Sequence, residues 1–216
     1  MDERALGLIL RVRPLTETSL IINWLSAEHG RLSTVAKGAR RPRSAFHGKL
    51  DLFFEAEFSF TRSRRSDLHN LREVQLLETW PELRRSLHKV EQLAYCTALV
   101  EQTTESDTPL PDFFQLLRGF IRHLRGVPPR PRLVYAFELK HLHYLGLEPD
   151  MGESKLRPAT RALIEQLTTL SWSEIESLKP TAEAASQVRH FLHGYLIYHL
   201  ERLPKGRADA LAEPRG

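Results

Sequence analysis

The spacing of apolar residues changes once along the chain, near residue 80. Before that point apolar side chains recur at every second position in short segments separated by turn residues, which is the period of β-strands. From residue 82 they recur every three to four positions, the period of amphipathic helices. The change predicts an α+β chain with a β domain at residues 1–80 and a helical domain at residues 81–216.

The first half contains five candidate strands, and a long loop separates the third from the fourth. The strands are predicted at residues 6–12, 19–25, 31–36, 50–61 and 68–77. Five short strands in about eighty residues are typical of a small, closed or partly open OB-type barrel. We therefore expect an N-terminal OB fold.

The second half contains candidate helices that proline-rich links separate. They are predicted at residues 82–105, 112–125, 132–145, 158–170, 173–178 and 182–203. Gly146 is expected to cap the third of these helices, and the chain from Lys205 onward is expected to fray. Amphipathic stripes joined by short connections predict an α-helical bundle.

Composition places the chain among ordinary globular proteins of moderately basic charge. The formal net charge is +4 and the pI is about 9.4, which suits a polyanionic partner. Cys96 is the single cysteine, so no intrachain disulfide forms, and its place on an apolar helix face predicts a buried structural thiol. No apolar run approaches membrane-spanning length, so we expect a cytoplasmic protein without membrane association.

The positive charge concentrates in the loop after the third strand. No Asp or Glu occurs from residue 31 to residue 50, although the chain holds nearly as many acids as bases. Gly38 lets the backbone approach a ligand closely, and arginine forks match phosphate oxygens. The loop cations are Lys37, Arg40, Arg41 and Arg43. These residues predict a phosphate-binding loop, while a merely solvated basic loop remains the alternative.

Further candidates for DNA contact lie around this loop and in a second basic turn. Aromatic side chains available for base stacking are Trp24, Phe46 and one face of the strand from Phe53 to Phe60, most of whose rings we expect in the barrel core. Phe46 lies within the cationic loop, outside any periodic core pattern, and is the preferred stacking residue. The other predicted contacts are Lys49, Arg62, Arg64 and Arg65.

Motifs for catalysis and metal binding are missing from the sequence. Gly48-Lys49 lacks the upstream glycine of a Walker-type loop, and there is no Gly-x-Ser-x-Gly, His-Glu-x-x-His or EF-hand pattern. His141 and His143 point to different helix faces, and His190 with His193 has no third ligand in view. We therefore predict no cofactor, no metal and no enzymatic activity.

Several of these segments resemble the bacterial RecO family of DNA repair proteins, the recombination mediators of the RecFOR pathway. The basic loop is the most specific of them. The segments are Gly7-Leu8-Ile9-Leu10-Arg11, Glu17-Thr18-Ser19-Leu20, Glu28-His29-Gly30-Arg31-Leu32 and Val35-Ala36-Lys37-Gly38-Ala39-Arg40-Arg41-Pro42-Arg43-Ser44. Weaker similarity lies at Leu68-His69-Asn70-Leu71-Arg72-Glu73, at Phe137-Glu138-Leu139 with Leu145-Gly146, and at Tyr195-Leu196-Ile197-Tyr198-His199-Leu200.

The resemblance implies a function in DNA repair, at the nucleoid. A RecO-like protein would bind single- and double-stranded DNA, anneal complementary strands, and act with RecR on DNA coated by single-stranded DNA-binding protein (SSB) so that RecA is loaded. Many members carry a cysteine-rich zinc motif where this chain reads Glu148 to Lys155 without a cysteine. The zinc module is therefore expected to be absent.

The same resemblance implies that the helical domain receives the acidic, phenylalanine-ended tail of SSB. Such a tail requires a basic rim around an apolar notch. Candidate rim residues flank the proline-rich link between two helices, and a solvated helix face is the alternative reading. They are Arg118, Arg122, Arg125, Arg130 and Arg132.

Two functions of other classes compete with the DNA-binding reading. In the first, the chain is a non-catalytic adaptor whose OB domain docks partner proteins, and the basic loop meets an acidic protein surface. In the second, it is an enzyme acting on nucleic acid, which the lack of an acid cluster or metal site beside the loop disfavours.

Overall fold

The computed structural model describes residues 2–152 and 155–212, and the chain divides into two compact units. The barrel unit comprises Met1–Pro81 and Thr104–Arg118, and the helical unit comprises Glu82–Thr103 and Gly119–Gly216. The division predicted at residues 80 and 81 assigns Thr104–Arg118 to the helical part, whereas the structure groups this segment with the barrel. No helix in the described ranges has the length and apolar character needed to cross a membrane.

Five strands close the barrel in the order β1-β2-β3-β5-β4. Neighbouring strands are antiparallel, except that β3 pairs with β5 in parallel over three residues. The strands are β1 (Asp2–Pro14), β2 (Leu20–Ser26), β3 (Gly30–Ala36), β4 (Glu55–Thr61) and β5 (Leu68–Glu78). The predicted OB-type barrel is confirmed, although β4 begins at Glu55 rather than at residue 50.

Inward-facing residues of the strands fill the barrel with aromatic and branched side chains. The Trp24 ring stacks on Phe58 with 4.0 Å between ring centroids, and its Nε1 donates a hydrogen bond of 2.9 Å to Thr34 Oγ1. Both rings are buried, and each contributes about 2 kcal/mol of apolar burial. The prediction that Trp24 is available for base stacking is therefore wrong, because its ring is fully enclosed.

The segment from Thr104 to Arg118 packs on the turn between β2 and β3. Asp107 N donates to Arg31 O at 2.9 Å, and Leu110 N donates to Ala27 O at 3.0 Å. Gly30 has φ +65°, and a Cβ added there would lie 1.8 Å from Thr108 O. The close approach of these two backbones therefore requires a glycine at position 30.

Seven α-helices follow the barrel strands within residues 82–152 and 155–212. They are α1 (Leu87–Thr103), α2 (Pro111–Leu124), α3 (Pro131–Tyr144), α4 (Pro158–Thr169), α5 (Trp172–Ser177), α6 (Ala182–Leu200) and α7 (Arg207–Ala210). The first begins at Leu87 rather than at residue 82, because Leu83–Arg85 forms a short 3₁₀ turn. Gly146, at φ +70°, donates its N–H to His143 O and ends α3 as predicted.

The chain near its C-terminus differs from the prediction. Arg207–Ala210 forms α7, and Arg207 is buried, so fraying from Lys205 onward is wrong for the described residues. Arg207 Nε and a terminal guanidinium nitrogen donate to the two oxygens of Glu138, at 2.6 and 2.9 Å. This buried ion pair ties α7 to α3.

Candidate nucleic-acid interface

The predicted phosphate-binding loop lies between β3 and β4 and is built from consecutive turns. Arg41 N donates to Gly38 O at 3.0 Å, and Lys49 N donates to Phe46 O at 3.0 Å. Gly38 has φ +67°, a conformation that glycine adopts without strain. Arg40 N donates to Thr18 O at 3.0 Å, so the loop is also fixed to the turn between β1 and β2.

The four cations of this loop all face solvent. Their side chains are exposed, and none of them forms an ion pair with a described residue. They are Lys37, Arg40, Arg41 and Arg43. The loop therefore presents uncompensated positive charge on an ordered backbone, which is what phosphate binding requires.

Phe46 and Lys49 occupy a different environment from the other loop residues. The sequence predicted that the Phe46 ring lies outside the barrel core. In the structure the ring is partly buried and packs against that core. Both residues line an open cleft of about 630 Å³, together with Arg4 and Arg72, which the sequence analysis did not select.

The second basic turn is only partly available for a ligand. Arg62 Nε donates to Glu3 at 2.8 Å, and another of its guanidinium nitrogens donates to Asp107 at 2.9 Å. These bonds compensate the charge of Arg62 and tie Asp107 to the barrel. Arg64 and Arg65 are exposed and form no ion pair within the described residues. Of the three arginines predicted to contact DNA from this turn, two therefore have no carboxylate partner among the described residues.

The five arginines predicted to bind the SSB tail are not brought together as one set. Arg118 belongs to the barrel unit and forms an ion pair with the buried carboxylate of Glu55. Arg122 and Arg125 are exposed on the helical unit but do not line its main cleft. Of the five predicted arginines, only Arg130 and Arg132 line that cleft.

The cleft in the helical unit combines a basic rim with an apolar lining. Its volume is about 710 Å³, and Arg189 joins Arg130 and Arg132 along it. Arg132 is also held internally, since it donates to Leu178 O at 2.8 Å and to Glu176 O at 3.0 Å. Apolar lining residues are Tyr135, Leu163, Leu167 and Leu211. The sequence gives no indication that Arg189 belongs to this cleft, because α6 is remote in sequence from the proline-rich link.

Burial shifts the pKa values of two titratable side chains in the helical unit, His141 and Cys96. Burial lowers the pKa of His141 to about 3, so its imidazole is neutral at physiological pH. Burial, and then the charge of Glu138, raises the pKa of the Cys96 thiol well above its ordinary value. Cys96 is therefore a buried, protonated thiol, as its place on the apolar helix face predicted.

Within the described ranges, no group of three or more His, Cys, Asp or Glu side chains is placed to hold a metal. The segment Glu148 to Lys155, where the zinc motif was expected to be missing, includes residues 153 and 154, which lie outside the described residues. Glu148, the first residue of this segment, has its Oε2 2.7 Å from His143 Nδ1, and both side chains are exposed.

A closed five-stranded barrel with a basic, acid-free loop, followed by a helical unit, places the chain in the class of proteins that join an N-terminal OB-type domain to a helical domain. Residues 1–80 match the family described as Recombination protein O N terminal, and residues 84–154 match Recombination protein O C terminal. The chain belongs to the RecO family of DNA repair proteins.

Individual relatives agree with this assignment. DNA repair protein RecO of Syntrophus aciditrophicus (strain SB) is 29% identical over 145 residues, which cover 67% of this chain and 56% of the relative. That of Anaeromyxobacter dehalogenans (strain 2CP-1 / ATCC BAA-258) is 32% identical over 152 residues, 70% of this chain and 60% of the relative. The matches to these two span less than two thirds of the relatives' own lengths. A third, from Pelotomaculum thermopropionicum, is 27% identical over 92% of this chain and 90% of the relative.

Proposed function

We propose that this chain is a non-catalytic recombination mediator that binds single- and double-stranded DNA and anneals complementary strands. The observation that carries the proposal is a loop on a closed OB-type barrel whose four cations are exposed and have no carboxylate partner among the residues that the structure describes. Arg64 and Arg65 supply a second, smaller group of phosphate contacts. Membership of a DNA repair family supports the same reading.

Annealing by this route needs charge but no nucleotide fuel. Two DNA strands repel one another because both are polyanions, and a protein that neutralises phosphates on both lowers that repulsion. Base pairing then supplies the free energy that drives the strands together. The chain acts in the cytoplasm at the nucleoid, where its substrate is DNA coated with SSB and its partner RecR assists it in loading RecA.

The DNA-binding part of the proposal is tested by the salt dependence of binding. Arg40→Ala and Arg41→Ala should each weaken single-strand binding and lower the slope of log affinity against log salt by about one unit. Lys179→Ala, which removes an exposed cation from the helical unit, is the matched control. Unchanged affinity and slope in both loop variants would refute phosphate binding by this loop.

The cleft of the helical unit is proposed as the binding site for the acidic tail of SSB. Its arginine rim suits the acidic residues of the tail, and its apolar lining suits a terminal phenylalanine. Arg130→Glu and Arg189→Glu should abolish binding of a tail peptide measured by fluorescence anisotropy. Arg122→Glu is the control, since Arg122 is exposed but lies outside this cleft. Unchanged affinity in both cleft variants would contradict the assignment.

One observation favours, as a second candidate, an adaptor that docks partner proteins through its helical unit rather than through the OB domain. The C-terminal half of α6 exposes Tyr198 at 82% and Ile197 at 41% of their surface, which is apolar area that a partner protein could cover. A gel shift with bare oligonucleotide separates the two functions. A pure adaptor would leave the DNA unshifted at low ionic strength, whereas the mediator retards it.

A further inference from the structure

The cleft of about 630 Å³ in the barrel unit differs in charge from the loop beside it. Three cations and three acids line the cleft, so its formal charge is zero. The cations are Arg4, Lys49 and Arg72, and the acids are Glu28, Glu57 and Glu73. A phosphate group would meet carboxylates here, whereas along residues 37–43 it meets cations alone. The cleft therefore suits an uncharged polar group better than a phosphate.

Polar side chains are arranged in two rows across the strands that form the cleft. Glu57 on β4 pairs in register with Leu6 on β1 and with Gln75 on β5. Two residues further along β4, Ser59 pairs with Arg4 and with Glu73. Because residues two apart on a strand share a face, the two rows place the acceptors Glu57 and Glu73 on the same face as the donors Arg4 and Gln75.

The acceptors in these rows are available to a ligand. Glu57 and Glu73 are exposed, and within the described part of the chain neither carboxylate accepts a hydrogen bond or forms an ion pair. Apolar surface from Phe46 and Leu6, which are both only partly buried, also lines the cleft. The combination of a ring and aliphatic surface with unused carboxylates matches a planar group that has apolar faces and a polar edge.

We propose that this cleft receives bases of single-stranded DNA whose phosphates lie on the basic loop. The inference rests on the proposed DNA binding, and it adds Arg4, Glu57, Arg72 and Glu73 to the interface. Continuity supports it, because Phe46 and Lys49 belong to the same loop that carries the four cations and also form part of the cleft wall. A strand held by the loop thus has the cleft beside it.

The two carboxylates give the cleft a base preference. Cytosine, adenine and guanine each carry an exocyclic amino group with two N–H donors for a carboxylate, whereas thymine offers a single ring N3–H between two carbonyl oxygens that repel a carboxylate. A strand with cytosines should therefore bind more tightly than a strand of thymines with the same length and the same number of phosphates. The phosphate contacts are common to both strands and cancel in the ratio of their affinities.

The test is a comparison of oligothymidine with an equally long strand carrying cytosine at every second position, by fluorescence anisotropy at low salt. The wild-type protein should bind the cytosine-containing strand about fivefold more tightly. This ratio is at the lower end of the discrimination that one good hydrogen-bonded base contact provides. The double variant Glu57→Ala, Glu73→Ala should bring the ratio to about one. Glu105→Ala removes an exposed acid of the barrel unit outside the cleft and should leave the ratio unchanged.

A photo-crosslinking residue at Gln75, with the same residue at position 105 as control, gives an independent readout. Crosslinking to DNA from position 75 and not from position 105 is expected. If wild-type protein binds with the expected loop-dependent salt slope but shows a ratio of one and no crosslink at position 75, the cleft proposal alone is overturned. If it binds neither strand, the DNA-binding function itself fails and the cleft proposal falls with it.

Discussion

Removing the guanidinium of Arg207 tests how much the buried ion pair between α7 and α3 contributes to the stability of the helical unit. Glu138 is fully buried, and Arg207 supplies two hydrogen bonds of 2.6 and 2.9 Å to its carboxylate. Tyr95 donates a third, of 2.6 Å, from its hydroxyl. The variant Arg207→Ala leaves the carboxylate and the Tyr95 hydroxyl in place but removes the compensating charge.

The expected loss follows from the cost of a buried charge without its partner. Breaking one side of such a pair costs about 3–5 kcal/mol of unfolding free energy. Replacing both partners by apolar residues, Glu138→Leu with Arg207→Met, removes the charge altogether. The double variant should lose only about 1–2 kcal/mol, mainly because the Tyr95 hydroxyl then lacks its acceptor. The double variant is therefore predicted to be more stable than the single one.

Urea unfolding followed by far-ultraviolet circular dichroism measures these differences, since the signal is dominated by helices. Arg157→Ala is the control, because it breaks an exposed ion pair with Glu183 and should cost less than about 1 kcal/mol. The reasoning is refuted if Arg207→Ala matches the control, or if the double variant is as unstable as the single one.

Two further predictions concern the barrel unit and the pH dependence of stability. Gly30→Ala should cost more than about 2 kcal/mol, because its Cβ would meet Thr108 O, whereas Gly48→Ala, at φ +70° with nothing within 4 Å, should cost about 1 kcal/mol of backbone strain. Urea midpoints by tryptophan fluorescence would show this, and equal losses in the two variants would contradict it. For His141, whose pKa falls from 6.5 to about 3 on folding, the unfolded chain binds the extra proton between these values, so stability falls as the pH drops below 6.5, by up to about 1.4 kcal/mol per pH unit. His141→Gln should flatten that loss between pH 7 and pH 5 in urea titrations, and an unaltered slope would count against it.

The barrel and most helices could be predicted from the sequence because their signals are local. Strand alternation and turn residues located all five strands, and Gly146 marked the end of α3. The acid-free run around the basic loop is likewise visible without knowing any contact. Local period and local charge are enough for these features.

What the sequence could not show depends on pairing between distant segments. Arg62 looks like a free cation until Asp107, brought in by the segment before α2, is seen beside it. Glu138 and Arg207 are separated by 69 positions. No local sequence pattern therefore indicates that these two residues form a buried ion pair, or that the chain forms the helix α7 there. Phe46 looked exposed because it has no periodic neighbours, yet the loop folds its ring onto the barrel core. The floor of the neighbouring cleft likewise exists only once β1, β4 and β5 are paired.

The central claim is that cations on the barrel's basic loop screen DNA phosphates well enough for complementary strands to pair without nucleotide hydrolysis. Its most direct test is the rate at which two complementary oligonucleotides anneal, followed by energy transfer between end labels, with no ATP present. We predict a large acceleration by the wild-type protein at low salt, loss of most of it on raising the salt, and a similar loss in the double variant Arg40→Ala, Arg41→Ala. Acceleration that requires ATP, or that persists undiminished in the double variant, would contradict the account.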